Sequence, residues 1–409
     1  MIKTQRILLF ASSLLSMTAC SLPISPSESS EENPVSSDSP ETPSEETSSE
    51  QEPSSSSEES SSSSEPAPSS SEEESSDSEP SSSSSGKSIY DCNSTAQRDR
   101  FLADGYHPLF KDPNFKNGFS VSRTTTDEEG GPFYPNPLRF YSSLSSPSWQ
   151  VAQWWSHYNI FVKGFSHEVY NDGLGHRIVS KGETIGEEFV PAKVFAVDSE
   201  SGSIYLECNS QIEYDAPRKS GEGWTHLLFS QGFENDLVYV SKSKSIVMET
   251  TYEVKKFEDH MNGQANPNLH AAQLVWYITI QNRNPSSPNY GNYIWFGLNL
   301  WDNRTSGKET TLYAAHDGGT SAFIYSPGSA AFLSSNDNKQ PVPHQKVTAR
   351  IDVVDIARQA YELALERGYL GETKFEDLAI GGMNFGFEVP GTYNIGVEFE
   401  SIGIYTKAL

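Results

Sequence analysis

The chain has 409 residues, of which 55 are acidic and 29 basic, so its formal net charge is −26. This balance argues against nucleic acid as a partner, because binding to a phosphate backbone requires a basic surface. The sequence has three cysteines, and they show no Cys/His spacing typical of zinc sites. We therefore expect no metal cofactor from the cysteine pattern.

The first twenty residues predict a lipoprotein signal peptide. Lys3 and Arg6 precede an apolar run over 7–17, which is too short to span a membrane. Met17 to Cys20 resemble the lipobox of bacterial lipoproteins. This resemblance implies that palmitate on Cys20 anchors the chain to the extracellular face of the bacterial membrane or cell surface, with no other membrane contact. An ordinary cleaved secretion signal is the alternative.

Residues 21–86 are composed almost entirely of Ser, Glu and Pro, with 17 acidic residues and no Lys or Arg. Such a segment has too few apolar residues to offset the entropy of ordering, so we predict a disordered linker. The interpretation we favour is a spacer that holds a domain away from a membrane. A tail that binds basic partners is the alternative.

Residues 87–409 are predicted to form one β-sandwich domain. A short helix is expected near 95–102, within a segment rich in turn residues. Runs of β-forming residues separated by turn residues follow and predict strands over 150–162, 188–197, 203–214, 225–233, 245–254, 271–282, 293–301, 322–325, 379–388 and 394–406. This spacing favours an all-β, antiparallel sandwich. Cys92 and Cys208 either pair with each other or remain free thiols.

One segment, DVVDIARQAYELALERGYLG, interrupts the strand pattern. Its apolar residues recur at helical spacing, Asp352 is a suitable N-cap, and Gly368 lies where a C-terminal glycine is expected. We therefore predict a single α-helix over about 352–367 that packs on the sheets.

An antiparallel sandwich with one packed helix, secreted and tethered, resembles the concanavalin A-like jelly rolls of bacterial glycan-binding and glycan-degrading proteins. This resemblance implies a concave sheet whose outward residues line a glycan groove. The Glu-x-Asp-x-Glu strand of the laminarinase-like branch is absent from the sequence. The alginate-lyase-like branch has Gln-Ile-His, whereas this chain has Gln211, Ile212 and Glu213.

The stretch YIWFGLNLWDNR predicts a strand with two apolar faces, one aliphatic and one aromatic. Beside it, the preceding strand offers a polar face, and together the two form a surface of flat rings and amides suited to sugars. Gly297 is expected to leave room for a ligand near the backbone. The predicted ligand-binding residues are Tyr277, Gln281, Arg283, Tyr293, Trp295, Asn299 and Trp301. The alternative is that these rings form a second, covered core.

Other candidates are less specific. Trp155 and Tyr325 are the next aromatic candidates, although an aromatic core strand is the favoured interpretation around Trp155. His316 and Asp317 are adjacent in a glycine turn, where we favour a solvent-exposed histidine over an acid/base pair. A structural calcium is the alternative to the absence of any cofactor, because stretches 171–173 and 301–304 supply oxygen ligands, but each is too short to define a site.

Hydrolysis of a glycan would need two carboxyl groups that face one groove. The candidates are Glu388 and Glu398, on strands joined through Pro390 and Gly391. Two solvated carboxylates are the alternative. The sequence thus predicts a cell-surface lipoprotein that binds an extracellular polysaccharide. A polysaccharide lyase or glycoside hydrolase that uses the same groove, and a structural or adhesive protein without a glycan site, are the alternatives.

Overall fold

The computed structural model describes residues 94–121, 137–141, 145–160, 164–234 and 236–409. The predicted signal peptide, Cys20 and the predicted linker lie outside these residues. The first eleven strands are β1 His107–Pro108, β2 Phe119–Val121, β3 Trp149–Ala152, β4 Ser166–Tyr170, β5 Gly175–Val179, β6 Gly182–Ile185, β7 Glu188–Pro191, β8 Lys193–Asp198, β9 Ser203–Asn209, β10 Thr225–Gly232 and β11 Val238–Tyr239. The remaining strands are β12 Ser243–Asp259, β13 Gln273–Asn282, β14 Tyr293–Asp302, β15 Tyr313–His316, β16 Phe323–Ser326, β17 Lys346–Asp352, β18 Leu378–Val389 and β19 Tyr393–Ala408.

Two large sheets form the sandwich. The first runs in the order β17-β12-β19-β9-β8-β5-β4, with β1 beside β19, and the second runs β15-β16-β14-β13-β18-β10-β3-β2, with β11 beside β18. Strands β6 and β7 form a separate hairpin. The chain passes repeatedly from one sheet to the other, as jelly rolls do. The predicted all-β sandwich is confirmed.

The core lies between the sheets and is built from the inward residues of both. Phe195 of β8 meets Phe229 of β10 edge to face with 5.2 Å between ring centroids, and Phe385 of β18 meets Phe399 of β19 at 5.1 Å. Such pairs add to the stabilisation that burial of apolar area provides. Because these residues alternate with outward ones along each strand, the core fixes which side chains face away from it.

Two helices accompany the sheets. Helix α1, Ser94–Ala103, packs on β19, where Phe101 stacks on Tyr405 with centroids 4.0 Å apart. Helix α2, Val353–Glu366, begins at Asp352, whose side chain accepts a hydrogen bond from the backbone N–H of Val354 at 3.1 Å. Gly368 follows its end with φ +81°, a backbone conformation that favours glycine. Both predicted helices are confirmed.

The structure differs from the sequence prediction in its details. Most strand pairs are antiparallel, but β14 and β16 pair in parallel, as do β2 and β3. Strands β1, β2, β4, β5, β6, β11, β15 and β17 were not predicted, and each has seven residues or fewer. The predicted strand over 150–162 ends at Ala152. None of the helices in the described residues is long and apolar enough to cross a membrane.

Candidate functional site

A groove lies on the outer face of the second sheet. The space between its lining residues is about 870 Å³, a value that includes space open to solvent. Strands β13, β14, β16 and β18 form its floor, Trp224 lies just before β10, and the turn after β15 closes one side. The lining residues are Trp224, Gln273, Val275, Tyr277, Trp295, Asn299, Thr310, Thr311, Tyr313, Asp317, Ile324, Ser326, Pro327, Asn384 and Glu388.

Two aromatic rings form part of the floor. Trp295 of β14 and Tyr277 of β13 are partly exposed and meet edge to face, with centroids 6.2 Å apart. The Tyr277 ring lies directly over Gly297, because a Cβ at that glycine would come within 2.0 Å of the ring. The space at Gly297 is therefore filled by Tyr277, and the prediction that a ligand approaches the backbone there is wrong.

Asp317 is held in a tight turn at the side of the groove. Its carboxylate accepts hydrogen bonds from the backbone N–H of Gly319 at 3.1 Å and of Thr320 at 3.2 Å, and from the hydroxyl of Thr320. The same hydroxyl accepts a hydrogen bond from Trp295 Nε1 at 3.2 Å. These donors give the carboxylate oxygens hydrogen-bond partners although the residue is buried.

Glu388 lies on the floor of the same groove, near the end of β18. Burial raises the pKa of its carboxyl to about 7, and the negative charge of Asp317 contributes to the rise. Within the described residues, the Glu388 side chain has no hydrogen bond and no cationic partner. Near neutral pH this carboxyl is consequently protonated in a large fraction of the molecules, whereas an ordinary glutamic acid is ionised.

The two strands beside β18 place polar side chains next to Glu388. His226 of β10 is its direct partner on one side, and Gln273 of β13 is its partner on the other. The imidazole of His226 lies between Trp154 and Trp224, with ring centroids 5.6 Å and 5.4 Å away, and burial lowers the pKa of His226 to about 4. His226 is therefore neutral throughout the physiological range.

Amide groups occupy the rest of the floor. Asn299 and Asn384 line the cavity, and the side-chain oxygen of each is buried without a hydrogen-bond partner in the described structure. The indole Nε1 of Trp224 is likewise unpartnered. Buried polar groups usually have partners, so a concentration of unpartnered ones beside a cavity marks the part of the molecule where a polar ligand would improve hydrogen bonding.

Among the predicted ligand-binding residues, Tyr277, Trp295 and Asn299 line the groove. Tyr293 packs edge to face on Trp295 with centroids 5.2 Å apart, so it supports the ring from outside the cavity. Gln281 lies near the end of β13 and Arg283 just beyond it, and Arg283 donates to Gln281 Oε1 at 3.1 Å. The structure thus divides the predicted set between the groove and its surroundings.

The placement predicted for Trp301 is wrong. A β-bulge opposite Leu274 and Val275 inserts one residue into β14, and this reverses the alternation beyond Asn299. Trp301 is 0% exposed, lies against Phe257 in the core and donates from Nε1 to the Pro341 carbonyl at 3.1 Å. It therefore belongs to the interior and not to the aromatic floor.

The expected pairing of Glu388 with Glu398 is also wrong. Strand β19, which carries Glu398, belongs to the other sheet, where the carboxylate forms an ion pair with Lys255 at 3.3 Å. Of the described acidic residues, the one that lines the groove with Glu388 is Asp317. Sequence spacing could not identify Asp317 as the neighbour of Glu388, because 71 positions and several strands separate these two residues.

The other candidates have different surroundings. Tyr325 is buried in the core and stacks on Phe296 with centroids 5.9 Å apart. Trp155, by contrast, is 37% exposed and is not a core residue, and its ring lies against Gly223, next to Trp224. His316 is exposed and contacts Tyr369 Oη at 3.0 Å through Nδ1, not Asp317.

Glu213, found where the lyase pattern has histidine, is buried and forms an ion pair with Lys193. Its carboxylate also accepts a hydrogen bond from the backbone N–H of Tyr158 at 3.1 Å. Cys208 is buried in the core, and burial raises the pKa of its thiol to about 12, whereas Cys92 lies outside the described residues. These groups stabilise the fold and do not reach the groove.

The oxygen-rich stretches do not form a cation site in the described part of the chain. Asp302 is engaged by Arg304 at 2.5 Å and by Gln273 Nε2 at 2.9 Å, and Asn171 donates to Asp198 at 3.2 Å. Across those residues, no group of three or more His, Cys, Asp or Glu side chains is arranged to hold a metal ion.

Comparison with known proteins gives only distant likenesses. No protein-family model and no characterised protein sequence matches the chain. Among solved structures, endoglucanase cel12A from Rhodothermus marinus has 12% identity and a TM-score of 0.32, over 62% of this chain and 100% of that one. The family 12 xyloglucanase from Bacillus licheniformis, solved with a ligand, has 12% identity and a TM-score of 0.31, over 59% and 97%.

A third solved structure is the xyloglucanase domain of NopAA, a type three effector from Sinorhizobium fredii, in complex with cellobiose. It has 11% identity and a TM-score of 0.29, over 59% of this chain and 96% of that one. Likenesses at this level carry no argument about activity or substrate. Any functional conclusion must come from the groove itself.

Proposed function

We propose that the protein binds a polysaccharide chain in this groove. The observation that carries the proposal is the character of the lining, in which the rings of Trp295 and Tyr277 stand beside the amides of Asn299 and Asn384. Flat rings stack on the C–H faces of pyranoses, and the unpartnered amide oxygens accept hydrogen bonds from hydroxyl groups.

The charge of the lining favours a neutral glycan. It contains two carboxyl groups, those of Asp317 and Glu388, and among the described lining residues neither Lys nor Arg occurs. A uronic acid polymer would bring its own carboxylates next to these groups without a cation to offset the repulsion. This disfavours the lyase alternative, which acts on acidic glycans.

Hydrolysis is the second candidate function, and the environment of Glu388 is the observation that favours it. A carboxyl group whose pKa is raised to about 7 retains its proton near neutral pH and is suited to protonate a glycosidic oxygen as the C–O bond breaks. Asp317 supplies the second carboxylate. It would either remove a proton from the attacking water or attack the sugar itself.

Binding is tested by affinity electrophoresis through gels that contain neutral polysaccharides (β-glucan, xylan or mannan) or acidic ones (alginate or pectin). Trp295→Ala should reduce retention on the neutral glycan at least tenfold with a nearly unchanged melting temperature, because the ring is partly exposed. Phe296→Ala, on the opposite face of the strand, is the control and should lower stability while the folded fraction keeps its ligand.

Equal destabilisation by the two variants, or retention of the wild type on none of the gels, would contradict the binding proposal and favour a structural or adhesive protein. Hydrolysis is tested separately by release of reducing ends. Glu388→Gln should abolish release while retention persists, since the amide cannot donate a proton in the same way. Equal release by wild type and Glu388→Gln would exclude Glu388 as the acid.

We further propose that a lipid on Cys20 displays the domain at the cell surface. The support is the sequence from Met17 to Cys20 and the Ser/Glu/Pro-rich segment that follows. Labelling with radioactive palmitate should mark the wild type and not Cys20→Ala, which should be found in the medium or as unprocessed precursor. Equal labelling of both proteins would overturn the proposal.

A further inference from the structure

We propose that Trp154 is a further sugar-stacking ring, and that the binding surface continues from the groove across β18 and β10 to the end of β3. This proposal rests on the proposed binding of a polysaccharide and deepens it, because it assigns a length to the bound segment. Trp154 follows Ala152, the last residue of β3, by two positions and is partly exposed. It lies outside the set of residues that line the groove itself.

The register of the second sheet makes the outward surface continuous from the groove to β3. Directly paired residues form one row across β3, β10, β18, β13 and β14, and they are Ala152, Leu228, Gly386, Val275 and Asn299. Val275 and Asn299 line the groove. Because directly opposite residues of a sheet point to the same side, the row leads from the floor of the groove to the strand that precedes Trp154.

Contacts place the Trp154 ring on this outward surface. Ala152, Leu228 and Val275 form a small cluster that is almost completely buried. Trp154 and Tyr277 are partly exposed and pack against that cluster. Tyr277 belongs to the floor of the groove, so the two rings cover neighbouring parts of one apolar surface.

A second chain of contacts joins the same ring to the groove. The imidazole of His226 meets Trp154 edge to face with centroids 5.6 Å apart, and it lies 5.4 Å from the ring of Trp224, which lines the groove. The backbone carbonyl of Trp154 also accepts a hydrogen bond from the backbone N–H of His226 at 3.2 Å. Trp154 is therefore held against β10 by its backbone as well as by its ring.

The loop that carries Trp154 is fixed without a ligand. Gln153 Oε1 accepts a hydrogen bond from the backbone N–H of Ile160 at 2.8 Å, which closes the loop. Trp155 has φ +54°, a backbone conformation that is strained for a bulky residue and persists only where the surrounding structure imposes it. Because the ring of Trp154 need not be ordered on binding, a sugar can stack on it at a small cost in entropy.

The width of the sheet determines the length of glycan that this surface would hold. Four inter-strand spacings separate β14 from β3, and at about 4.8 Å each they span about 19 Å. A glycan that crosses the strands would reach Trp295 at one end and Trp154 at the other, whereas a disaccharide is too short to contact both rings. Affinity should therefore rise with chain length until both rings are covered.

The test uses β-1,4-linked gluco-, xylo- and manno-oligosaccharides of two and of six residues, titrated into the full protein. Trp154→Leu should lower the affinity for the six-residue oligosaccharide at least fivefold and leave the affinity for the disaccharide unchanged. Leucine keeps an apolar cover over Ala152 and Leu228, so the variant should fold. Trp155→Leu is the matched control, because it makes the same change at the next residue, whose ring lies against Gly223, and it should bind both ligands like the wild type.

A direct measurement on the wild type accompanies the variants. With ¹⁵N in the indole rings, the NMR signal of Trp154, identified from the spectrum of Trp154→Phe, should shift at saturation with the six-residue oligosaccharide. An unshifted signal would overturn the proposal, and it decides the question alone if Trp154→Leu fails to fold, as judged by its thermal transition.

The affinities separate this proposal from the proposed function. Equal affinity of wild type and Trp154→Leu for the six-residue oligosaccharide would overturn the role of Trp154 and leave the groove as the binding site. Equal losses in Trp154→Leu and Trp155→Leu would also overturn it, because they would show a general effect on the loop. Absence of binding by the wild type, both to these oligosaccharides and to the polysaccharide gels, would overturn the proposed function and this proposal together.

Discussion

Trp295 and Asp317 are joined through a single hydroxyl group. Thr320 Oγ1 accepts a hydrogen bond from the indole Nε1 at 3.2 Å and donates its own proton to the Asp317 carboxylate. The link connects the central ring of the floor to the carboxylate at the side of the groove. A residue of the turn after β15 therefore sets the relative position of two groups with different chemical roles.

Thr320→Val should disrupt this link with little loss of stability. Valine keeps the shape of threonine, but it leaves the indole N–H without its acceptor and removes a donor from Asp317. We expect retention on a neutral polysaccharide gel to fall several-fold and the melting temperature to change by less than about 4 °C. Affinity electrophoresis and a thermal scan on the same sample check both expectations.

The control for this variant is Thr251→Val. It breaks a hydroxyl pair with Thr348 at 2.8 Å on the other sheet, far from the groove in the fold. Retention should equal that of the wild type. A similar loss of retention in both variants would show that the Thr320 link has no specific part in holding the ring.

Glu388 should make the stability of the protein depend on pH in an unusual direction. Its folded pKa of about 7 lies above the value of 4.5 for an unperturbed glutamic acid, so the folded protein binds more protons than the unfolded chain between these values. The stabilising contribution is present below about pH 4.5, and it is lost as the pH rises through 7.

Glu388→Gln removes this titration. The difference in unfolding free energy between variant and wild type, measured by urea denaturation at pH 5 and at pH 8, should therefore favour the variant more at pH 8. Comparing the two proteins at each pH cancels contributions from the other titratable groups. A difference that is equal at both pH values would mean that the folded pKa of Glu388 is not raised.

The strands of the sandwich could be predicted, but several of their pairings could not. Alternation of apolar and polar residues located β13 and β14 within two residues of their ends. The bulge at the end of β14 has no equivalent signal, because YIWFGLNLWDNR is apolar on both faces and tolerates either placement of Trp301. What decides it is the register with β13, a long-range property.

The candidate site shows the same division. The sequence identified Trp295, Tyr277 and Asn299 because they share the parity of one hairpin. It could not bring Glu388 beside His226, since β10 and β18 are neighbours in the sheet but distant in the chain. The predicted pairing of Glu388 with Glu398 failed for a related reason. The short turn at Pro390 leads from one sheet to the other, not to the adjacent strand of the same sheet.

Trp301→Phe and Trp295→Phe should have opposite effects. Phenylalanine at 301 loses the bond from Nε1 to the buried Pro341 carbonyl and leaves a gap in the core, so unfolding should be easier by about 1 to 3 kcal/mol. At 295 the lost bond is that to Thr320, at the edge of the groove. There we expect weaker retention on the glycan gel and little change in stability.

Chemical denaturation and affinity electrophoresis of the pair provide the measurement. Because both variants make the same chemical change, they differ only in where the ring lies. Loss of ligand in Trp301→Phe at temperatures where it remains folded would show that the interior indole also shapes the groove. That result would contradict the conclusion that the bulge in β14 places Trp301 in the interior and Trp295 in the groove.

Gly297→Ala tests whether the position of the Tyr277 ring matters for binding. An added Cβ would come within 2.0 Å of two ring carbons, so the tyrosine must move away from the strand. The backbone of Gly297 does not have the positive φ that disfavours alanine, and any effect therefore comes from the ring. We expect retention on a neutral glycan to fall at least several-fold, with a modest loss of stability.

Gly232→Ala is the matched control, because it also adds one methyl group to a strand of this sheet, where the nearest atom is a Glu234 oxygen 3.9 Å away. Its retention and melting temperature should equal those of the wild type. Normal retention by Gly297→Ala, in a variant whose crystal structure shows the ring displaced, would remove Tyr277 from the binding surface and leave Trp295 as its principal ring.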